Sequence, residues 1–346
     1  MSKSCTLSDL AVHLGLSTAT VSRALAQHEQ IALRTRERVA IAARELGYVP
    51  NRAAQALASG RAGFVGFLLP MRGRGLADPF LGEFVSALTE GFSARGVELL
   101  LSAVPKDGTE VRHLQSLVDS ARIDGVVLSR LHQADPRVAF LQQRGVPFVT
   151  HGRLADTEAG YSWLDTDGEG AFAEAFELLY ALGHRRFGLL SIDEPLTFRL
   201  KREAGFQRAF AAAADPSLSL RRVSCARFDA GARARAIAEI LAPDDRPTAI
   251  LAISDGLALD LMAQAQSAGL SVPGDLSVVG FDDMPSAARV TPGLTTFDAC
   301  IPDSALTLAG MLLARIEAPT APHERRLERP RLVLRGSHGP VPDAAV

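Results

Sequence analysis

Cysteine is scarce in this chain of 346 residues, and its three cysteines, Cys5, Cys225 and Cys300, lie far apart. They form no CxxC pair, which argues against disulfides and a cysteine-based zinc site and fits a reducing compartment. No apolar run approaches the ~18 residues that a membrane-spanning helix needs. The first residues also lack the basic-then-apolar order of a secretory signal. We therefore expect a cytoplasmic protein with no membrane partner.

The start of the chain has few acidic residues, and basic residues outnumber them. Residues 1–62 contain eight Lys/Arg and four Asp/Glu, a net charge of +4, whereas the whole chain has a net charge of −2. The remaining residues therefore carry −6. A basic segment joined to an acidic body is typical of a surface that binds a polyanion, although a solvated helix surface gives the same pattern. The composition, with 47% hydrophobic and 22% charged residues, is that of a folded protein, and the length indicates two or three domains.

The first sixty residues predict three short helices. Thr6 and Asp9 form a capping-box pattern before the first helix, which ends at Gly15. Ser17 can cap the second helix, and the third ends at Gly47. Two helices joined by a tight turn that contains glycine, with a third to close the core, follow the helix-turn-helix plan.

The second predicted helix has the side chains that a DNA-reading helix needs. Its apolar side is formed by Val21, Ala24 and Leu25. The side chains that face away from it are Ser17, Thr18, Ala19, Ser22 and Arg23. Hydroxyl groups can bind phosphates, small side chains let the backbone approach bases in the major groove, and arginine can reach guanine. An ordinary capped surface helix is the alternative interpretation.

A nine-residue helical segment follows, over residues 51–59. Asn51 is a suitable N-cap, and Gly60 is a suitable end. A helix of this length is not stable alone in water. The segment is therefore either a linker or a helix that folds on contact with a partner.

From residue 63 onward, apolar strand-like runs alternate with segments of helical period. The predicted strands are 64–69, 97–104, 125–129, 148–151, 187–192, 249–253, 277–281 and 332–334, and the predicted helices include 81–95, 170–182, 202–213 and 257–268. This alternation predicts an α/β fold with parallel sheets and helices on both faces. About 270 residues exceed one ordinary sheet, so two α/β lobes are expected.

Four sequence blocks, residues 6–11, 16–23, 35–39 and 46–57, resemble in order and spacing the DNA-binding head of the LacI family of transcriptional regulators. The resemblance continues through most of the chain, at 146–149, 181–187, 204–206, 252–255, 276–283, 292–296 and 335–337. It implies a helix-turn-helix head over 1–50, a hinge helix and linker over 51–62, a two-lobed effector-binding and dimerisation domain over 63–338, and a tail over 339–346. The lobes would be similar to periplasmic sugar-binding proteins, with lobe 1 at about 63–161 and 293–320 and lobe 2 at about 162–292 and 321–338.

The resemblance also implies roles in DNA binding. Residues that position the DNA backbone would be Thr6, Ser17, Thr20, Ser22 and Asn51, and base readers would be Thr18, Ala19 and Arg23. In the hinge, Ala54 and Gln55 would contact DNA, and Leu57 would wedge into a central base step from the minor groove. Ala32 departs from the family's usual Ser or Thr cap of the third helix, and Gln27 stands where asparagine is frequent. The chain ends without a leucine heptad, so a homodimer on a palindromic operator is expected rather than a tetramer.

Effector contacts are expected beyond the carboxyl ends of the strands, where open α/β sheets bind ligands. The candidates are Asp78, Phe80, His151, Arg153, Trp163, Phe198, Arg199, Arg202, Ser254, Asp255 and Asp282. Phe80 could stack on a sugar or belong to the core, and Trp163 is either a plug between the lobes or a sugar platform. Either Arg199 or Arg202 could take the place of an arginine that the family often has, because Leu200 stands at that position in this chain. Asp282 matches a carboxylate that binds ligand in relatives.

The sequence is therefore interpreted as a repressor that a sugar, such as an α-glucoside or another oligosaccharide, releases from its operator. A non-sugar ligand such as a nucleobase, or a co-repressor response, remains an alternative, and a sugar receptor without DNA function is a further one. An enzyme is not expected, because the chain lacks GxGxxG, GxxxxGK[ST], HExxH and GxSxG motifs. No cofactor or metal is expected.

Overall fold

A computed structural model of the chain describes residues 5–25, 27–49, 60–70, 78–104, 109–154 and 160–342. The chain forms two compact units, residues 1–62, called the head, and residues 63–346, called the α/β unit. In the described ranges, no helix has the length and apolar character that crossing a membrane requires.

The head contains the three predicted helices, α1 (Leu7–Leu14), α2 (Thr18–Leu25) and α3 (Leu33–Glu45). The capping box forms as predicted, because the Asp9 amide donates to Thr6 Oγ1 over 3.2 Å and the Thr6 amide donates to the Asp9 carboxylate over 2.9 Å. Gly15 ends α1 in the left-handed conformation, with φ of +64°. The core of the head contains one fully buried side chain from each helix, Leu10, Val21 and Val39. Ala32 provides no side-chain cap for α3.

The α/β unit contains twelve strands and eight helices in its described part. The strands are β1 (Phe64–Pro70), β2 (Glu98–Val104), β3 (Gly125–Leu128), β4 (Phe148–His151), β5 (Ser162–Thr166), β6 (Arg186–Ile192), β7 (Ser219–Cys225), β8 (Ala249–Ala252), β9 (Ser277–Val279), β10 (Thr296–Asp298), β11 (Arg325–Glu328) and β12 (Arg331–Val333). The helices are α4 (Pro79–Ser93), α5 (Glu110–Asp119), α6 (Pro136–Arg144), α7 (Gly168–Ala181), α8 (Thr197–Ala212), α9 (Ala230–Ile240), α10 (Asp255–Ser267) and α11 (Ile301–Glu317).

These elements build two parallel sheets, one in each lobe. The lobe 1 sheet has the strand order β11-β5-β4-β3-β1-β2, and the lobe 2 sheet has the order β7-β6-β8-β9. Every neighbouring pair in both sheets is parallel, so helices must carry the chain back between strands. Strands β10 and β12 pair with each other in an antiparallel ribbon. The predicted α/β fold with two parallel-sheet lobes is therefore confirmed.

The predicted boundary between the lobes is wrong for two strands. Strands β5 and β11 were expected in lobe 2, but both belong to the six-stranded sheet of lobe 1. The reason is pairing, because Thr150 of β4 lies opposite Trp163 of β5, and Trp163 lies opposite Arg325 of β11. The chain thus leaves the lobe 1 sheet after Thr166, not after residue 161.

In both lobes, buried phenylalanine side chains fill the space between the helices and the sheet. In lobe 1, Phe84 and Phe92 of α4 are fully buried beside α11, and in lobe 2, Phe176 and Phe206 pack with Phe187 of β6. This packing fixes both sheets with their carboxyl ends at the site described next.

Candidate functional site

The exposed side of α2 has the composition predicted for a DNA-reading surface. Its exposed side chains are Thr18, Ala19, Ser22 and Arg23, whereas Val21 and Ala24 face the core of the head. Ser17 caps the helix by accepting from the Thr20 amide over 3.1 Å, and its hydroxyl lies 2.8 Å from the Thr20 hydroxyl. The hinge candidates Asn51, Ala54, Gln55 and Leu57 lie outside the described residues.

A cleft lies between the lobes, at the carboxyl ends of their strands. Its lining residues are Phe80, Arg130, Leu131, His151, Gly152, Asp165, Thr166, Gly168, Ile192, Thr197, Phe198, Lys201, Arg202, Arg227, Ile253, Ser254 and Asp282. Six of the eleven predicted effector residues belong to this lining, namely Phe80, His151, Phe198, Arg202, Ser254 and Asp282. Sequence positions as distant as 80 and 282 thus meet in one site.

Arg202 and Asp282 form a buried charged pair in the cleft. Arg202 Nη1 donates to the Ile253 carbonyl over 2.5 Å, and Nη2 lies 3.7 Å from Asp282 Oδ1. The Arg202 guanidinium also lies 3.5 Å from the ring centroid of Phe281. Burial lowers the pKa of Arg202 to about 10 and raises the pKa of Asp282 to about 7, although each charge favours the other.

The backbone at Asp282 is strained. Its φ is +122°, in a region that side-chain-bearing residues rarely adopt, and Asp283 follows with φ of +50°. Such conformations cost of order 1–3 kcal/mol and concentrate at ligand-binding sites. The Asp282 amide donates to the Phe297 carbonyl over 3.0 Å, which holds this turn in place.

An aromatic group forms the lobe 1 side of the cleft. The Phe80 ring stacks on Phe84 with centroids 5.4 Å apart and lies 5.5 Å from the His151 ring. Burial lowers the pKa of His151 to about 4, although Asp165 favours its charged form. At neutral pH the imidazole is therefore neutral, with one nitrogen that donates and one that accepts. On the lobe 2 side, the Phe198 ring centroid lies 4.9 Å from the Arg202 guanidinium.

Two arginines share one carboxylate across the cleft. Asp78 caps α4 by accepting from the Phe80 amide over 3.1 Å. Its other oxygen, Oδ2, contacts Arg130 of lobe 1 and lies 2.9 Å from Arg227 Nη2 of lobe 2. Burial and the neighbouring Arg227 lower the pKa of Arg130 to about 10. Asp78 therefore lies just behind the lining and holds two of its cations.

A second set of ion pairs joins the lobes at β5. Lys201 Nζ of α8 lies 2.5 Å from Asp165 Oδ2, and Arg153 Nε lies 3.0 Å from the same oxygen. Burial lowers the pKa of Lys201, against the effect of Asp165. Arg153 thus acts behind the lining, through Asp165, rather than on the cleft surface as predicted.

Three predicted effector residues lie elsewhere. Trp163 is 6% exposed and packs in the core of lobe 1, because it lies near the start of β5, away from the carboxyl end of the strand that reaches the cleft. Arg199 pairs with Glu203 over 2.6 Å and is not part of the lining. Asp255 is fully buried, where it accepts from the Met284 amide over 2.8 Å and from Thr296.

Sequence reasoning missed four charged residues of the lining, Arg130, Asp165, Lys201 and Arg227. Arg130 follows a predicted strand, so the rule of carboxyl ends could have found it. Asp165 belongs to β5 and Arg227 follows β7, and neither strand was predicted. Among the described residues, no group of His, Cys, Asp and Glu could hold a metal ion.

Comparison with known proteins agrees with this architecture. Residues 6–51 match the bacterial regulatory proteins of the lacI family, and residues 176–338 match a periplasmic binding protein-like domain. The chain is 34% identical over 343 residues to the HTH-type transcriptional regulator AglR of Rhizobium meliloti (strain 1021), covering 97% of this chain and 95% of that protein. It is 32% identical over 339 residues to the HTH-type transcriptional regulator CelR of Thermobifida fusca, covering 96% and 98%.

Two solved structures match nearly the whole chain. One is the complex of the transcriptional regulator CelR with cellobiose, with a TM-score of 0.71 and 29% identity, covering 96% of this chain and 99% of that one. The other is the lac repressor dimer bound to operator and the anti-inducer ONPF, with a TM-score of 0.83 and 26% identity, covering 97% and 99%. With its helix-turn-helix head and its two-lobed α/β unit, the chain belongs to the LacI family of bacterial DNA-binding transcriptional regulators.

Proposed function

We propose that this protein, as a homodimer in the cytoplasm, represses transcription from a palindromic operator and that a sugar bound in the cleft releases it. The head supports the DNA part of this proposal. Small and hydroxyl side chains surround Arg23 on the exposed side of α2, and the net charge of residues 1–62 is +4. In this arrangement Arg23 reads a base, and Thr6, Ser17, Thr20 and Ser22 position the phosphate backbone.

The observation that carries the sugar proposal is the pairing of aromatic rings with planar polar side chains in one cleft. Phe80 and Phe198 offer apolar faces to the C–H groups of a sugar ring. Arg202, Asp282 and the neutral His151 offer donors and acceptors to its hydroxyls. The Nε of Arg202 is buried and has no hydrogen-bond partner in the described part of the chain, so a ligand hydroxyl would satisfy it. The relative CelR, which has the same fold, was solved with cellobiose.

The proposed release follows from the ion pairs that join the lobes. Asp78 with Arg227, and Asp165 with Lys201, connect lobe 1 to lobe 2 around the cleft. A ligand that binds these groups favours one arrangement of the lobes over another. A shift of lobe 1 would then reach residues 51–62 and, through them, the head.

The test is a titration of fluorescent operator DNA with the full-length protein. Affinity is measured alone and with mono-, di- and trisaccharides at millimolar concentration. We expect at least one saccharide to weaken operator binding roughly tenfold or more, a coupling of about 1.4 kcal/mol. Tighter binding in the presence of a saccharide would indicate co-repression, and no response to any saccharide would contradict the sugar proposal.

A further inference from the structure

The cleft continues past the Asp78–Arg130–Arg227 ion cluster into a second, smaller cavity, called the outer chamber. Arg130 and Arg227 line both cavities, so the ion cluster forms the wall between them. The other lining residues of the outer chamber are Glu110, His132, Arg137, Glu194, Leu196 and Phe228. They come from both lobes, so the outer chamber is part of the same inter-lobe opening.

One wall of the outer chamber is rigid and polar. Arg137 is buried, and its guanidinium lies 2.6 Å from Asp135 and 3.3 Å from Glu110. It also donates to the Ser129 carbonyl over 3.2 Å. These contacts hold the Glu110 carboxylate at the chamber surface, because its partner cannot move without breaking several buried bonds.

Phe228 gives the outer chamber an aromatic side chain. Its ring is half-buried and belongs to none of the hydrophobic clusters of the described residues. The Arg227 guanidinium lies 5.3 Å from its ring centroid. A ring that is held at a cavity surface rather than in a core offers apolar contact to a ligand.

Glu194 brings an unsatisfied acceptor to the same cavity. Its Oε2 atom is buried, and no hydrogen-bond partner for it exists in the part of the chain that the structure describes. A buried oxygen of a carboxylate that lacks a donor destabilises the fold, so such an atom requires an explanation. A ligand hydroxyl at this position would supply the donor.

We propose that the outer chamber binds a further ring of the sugar effector, so that the effector is an oligosaccharide whose chain passes the Asp78–Arg130–Arg227 ion cluster. This inference rests on the proposed sugar-responsive function. It adds that one ring lies in the cleft near Phe80 and Asp282, while the next lies beside Phe228 and donates to Glu194. The outer chamber then selects for the length of the saccharide, and the cleft recognises the first ring.

The experiment measures saccharide affinity by calorimetry on the full-length protein and its variants. The probes are glucose with cellobiose and cellotriose, and glucose with maltose and maltotriose. The variants are Phe228→Ala and Glu194→Ala in the outer chamber, with Asp282→Ala in the cleft. Glu177→Ala, an exposed residue of α7, is the matched control for Glu194→Ala.

We expect the longer members of at least one series to bind wild type roughly tenfold or more tightly than glucose. Phe228→Ala and Glu194→Ala should each weaken the longer saccharides about tenfold and change glucose affinity less than about twofold, as expected for loss of one good contact. Asp282→Ala should weaken all lengths, and Glu177→Ala none. If the two outer-chamber variants lose affinity equally for saccharides of every length, or lose none, the proposed role of the outer chamber would be overturned. Binding that does not depend on length would overturn it while the sugar proposal stands, whereas no binding of any saccharide would contradict both.

Discussion

Asp78 and Arg227 form an ion pair across the cleft, with 2.9 Å between Asp78 Oδ2 and Arg227 Nη2. The two residues are 149 positions apart, because Asp78 caps the N-terminus of α4 in lobe 1 and Arg227 follows β7 in lobe 2. Both side chains are largely buried, with 7% and 16% exposure. The arrangement of the lobes is therefore linked to the electrostatics of the cleft.

Asp78 has two separable roles, which a pair of substitutions can distinguish. Asp78→Asn keeps an N-cap acceptor but removes the charge that Arg130 and Arg227 share, and we expect it to lower the free energy of unfolding by about 1–3 kcal/mol. Asp78→Ala also removes the cap of α4 and should cost about 0.5–2 kcal/mol more. Urea unfolding of both variants measures the difference. Equal stability of Asp78→Asn and wild type would contradict the role of the shared charge.

Asp282 should make stability depend on pH near neutrality. Burial raises its pKa to about 7 from the ordinary 3.8, so the folded state holds a proton that the unfolded state releases. Its contribution to stability is fully present below about pH 4 and is lost as pH rises through 7. Asp282→Asn does not titrate. The free energy of unfolding of wild type relative to Asp282→Asn should therefore fall between pH 5 and pH 8.

The comparison with Asp282→Asn removes the effects of other groups. Burial lowers the pKa of His151 to about 4, so its contribution to the free energy of unfolding is lost as pH falls from 6.5 to 4. This loss is the same in both proteins and cancels in the comparison. Unfolding in urea at four pH values gives the difference. A difference that stays constant from pH 5 to pH 8 would show that Asp282 remains ionised throughout.

The sequence predicted eight of the twelve described strands of the α/β unit, including the edge strands β2 and β9, and missed β5, β7, β10 and β11. Runs such as Phe187–Ile192 are apolar because helices cover both faces of the sheet. Strand β7, at the edge of the lobe 2 sheet, contains Arg221 and Arg222, and β11, at the edge of the lobe 1 sheet, begins with Arg325 and Arg326. Charged side chains are common at sheet edges, and they remove the apolar pattern on which the prediction depends.

The sequence could place a residue in the cleft lining where that residue follows a recognised strand. It could not do so where contacts between residues distant in sequence decide the position of the side chain. Phe80, in the first turn of the helix that follows β1, and Asp282, which follows β9, both line the cleft. Trp163 was expected where the chain crosses between the lobes, as a plug or a sugar platform, but it lies near the start of β5, and Asp165, nearer the carboxyl end of that strand, lines the cleft instead. Arg227 gives no local signal, since its role depends on Asp78, which is far away in sequence.

Arg23 should carry base specificity in the head. Its side chain is exposed on α2, and we expect Arg23→Ala to cost about 1–3 kcal/mol per half-site and to relax preference at one base pair. Arg44→Ala, an exposed arginine on α3, is the matched control. Titrations with the operator and with single-base-pair variants measure both effects. Unchanged preference in Arg23→Ala would show that Arg23 does not read a base.

Leu57 should act on the DNA rather than on the α/β unit. We expect Leu57→Ala to weaken operator binding and reduce bending, because an apolar side chain offsets the few kcal/mol that unstacking a base step costs. Saccharide affinity and the melting of the α/β unit should not change. Gel-shift bending assays and anisotropy measure the DNA effects. Retained bending and affinity would contradict the hinge assignment of residues 51–59.

The central claim is that a sugar bound at Asp282 releases the operator, and operator affinity of Asp282→Ala with and without saccharide tests it most directly. The wild-type protein and Asp244→Ala, an exposed control in lobe 2, are measured in parallel with the saccharide that releases wild type most strongly. We predict that Asp282→Ala binds the operator as wild type does and is no longer released, because the truncated site leaves ligand hydroxyls unpaired. Normal release of Asp282→Ala at the same saccharide concentration would contradict the account, and loss of operator binding without saccharide would show that Asp282 is structural.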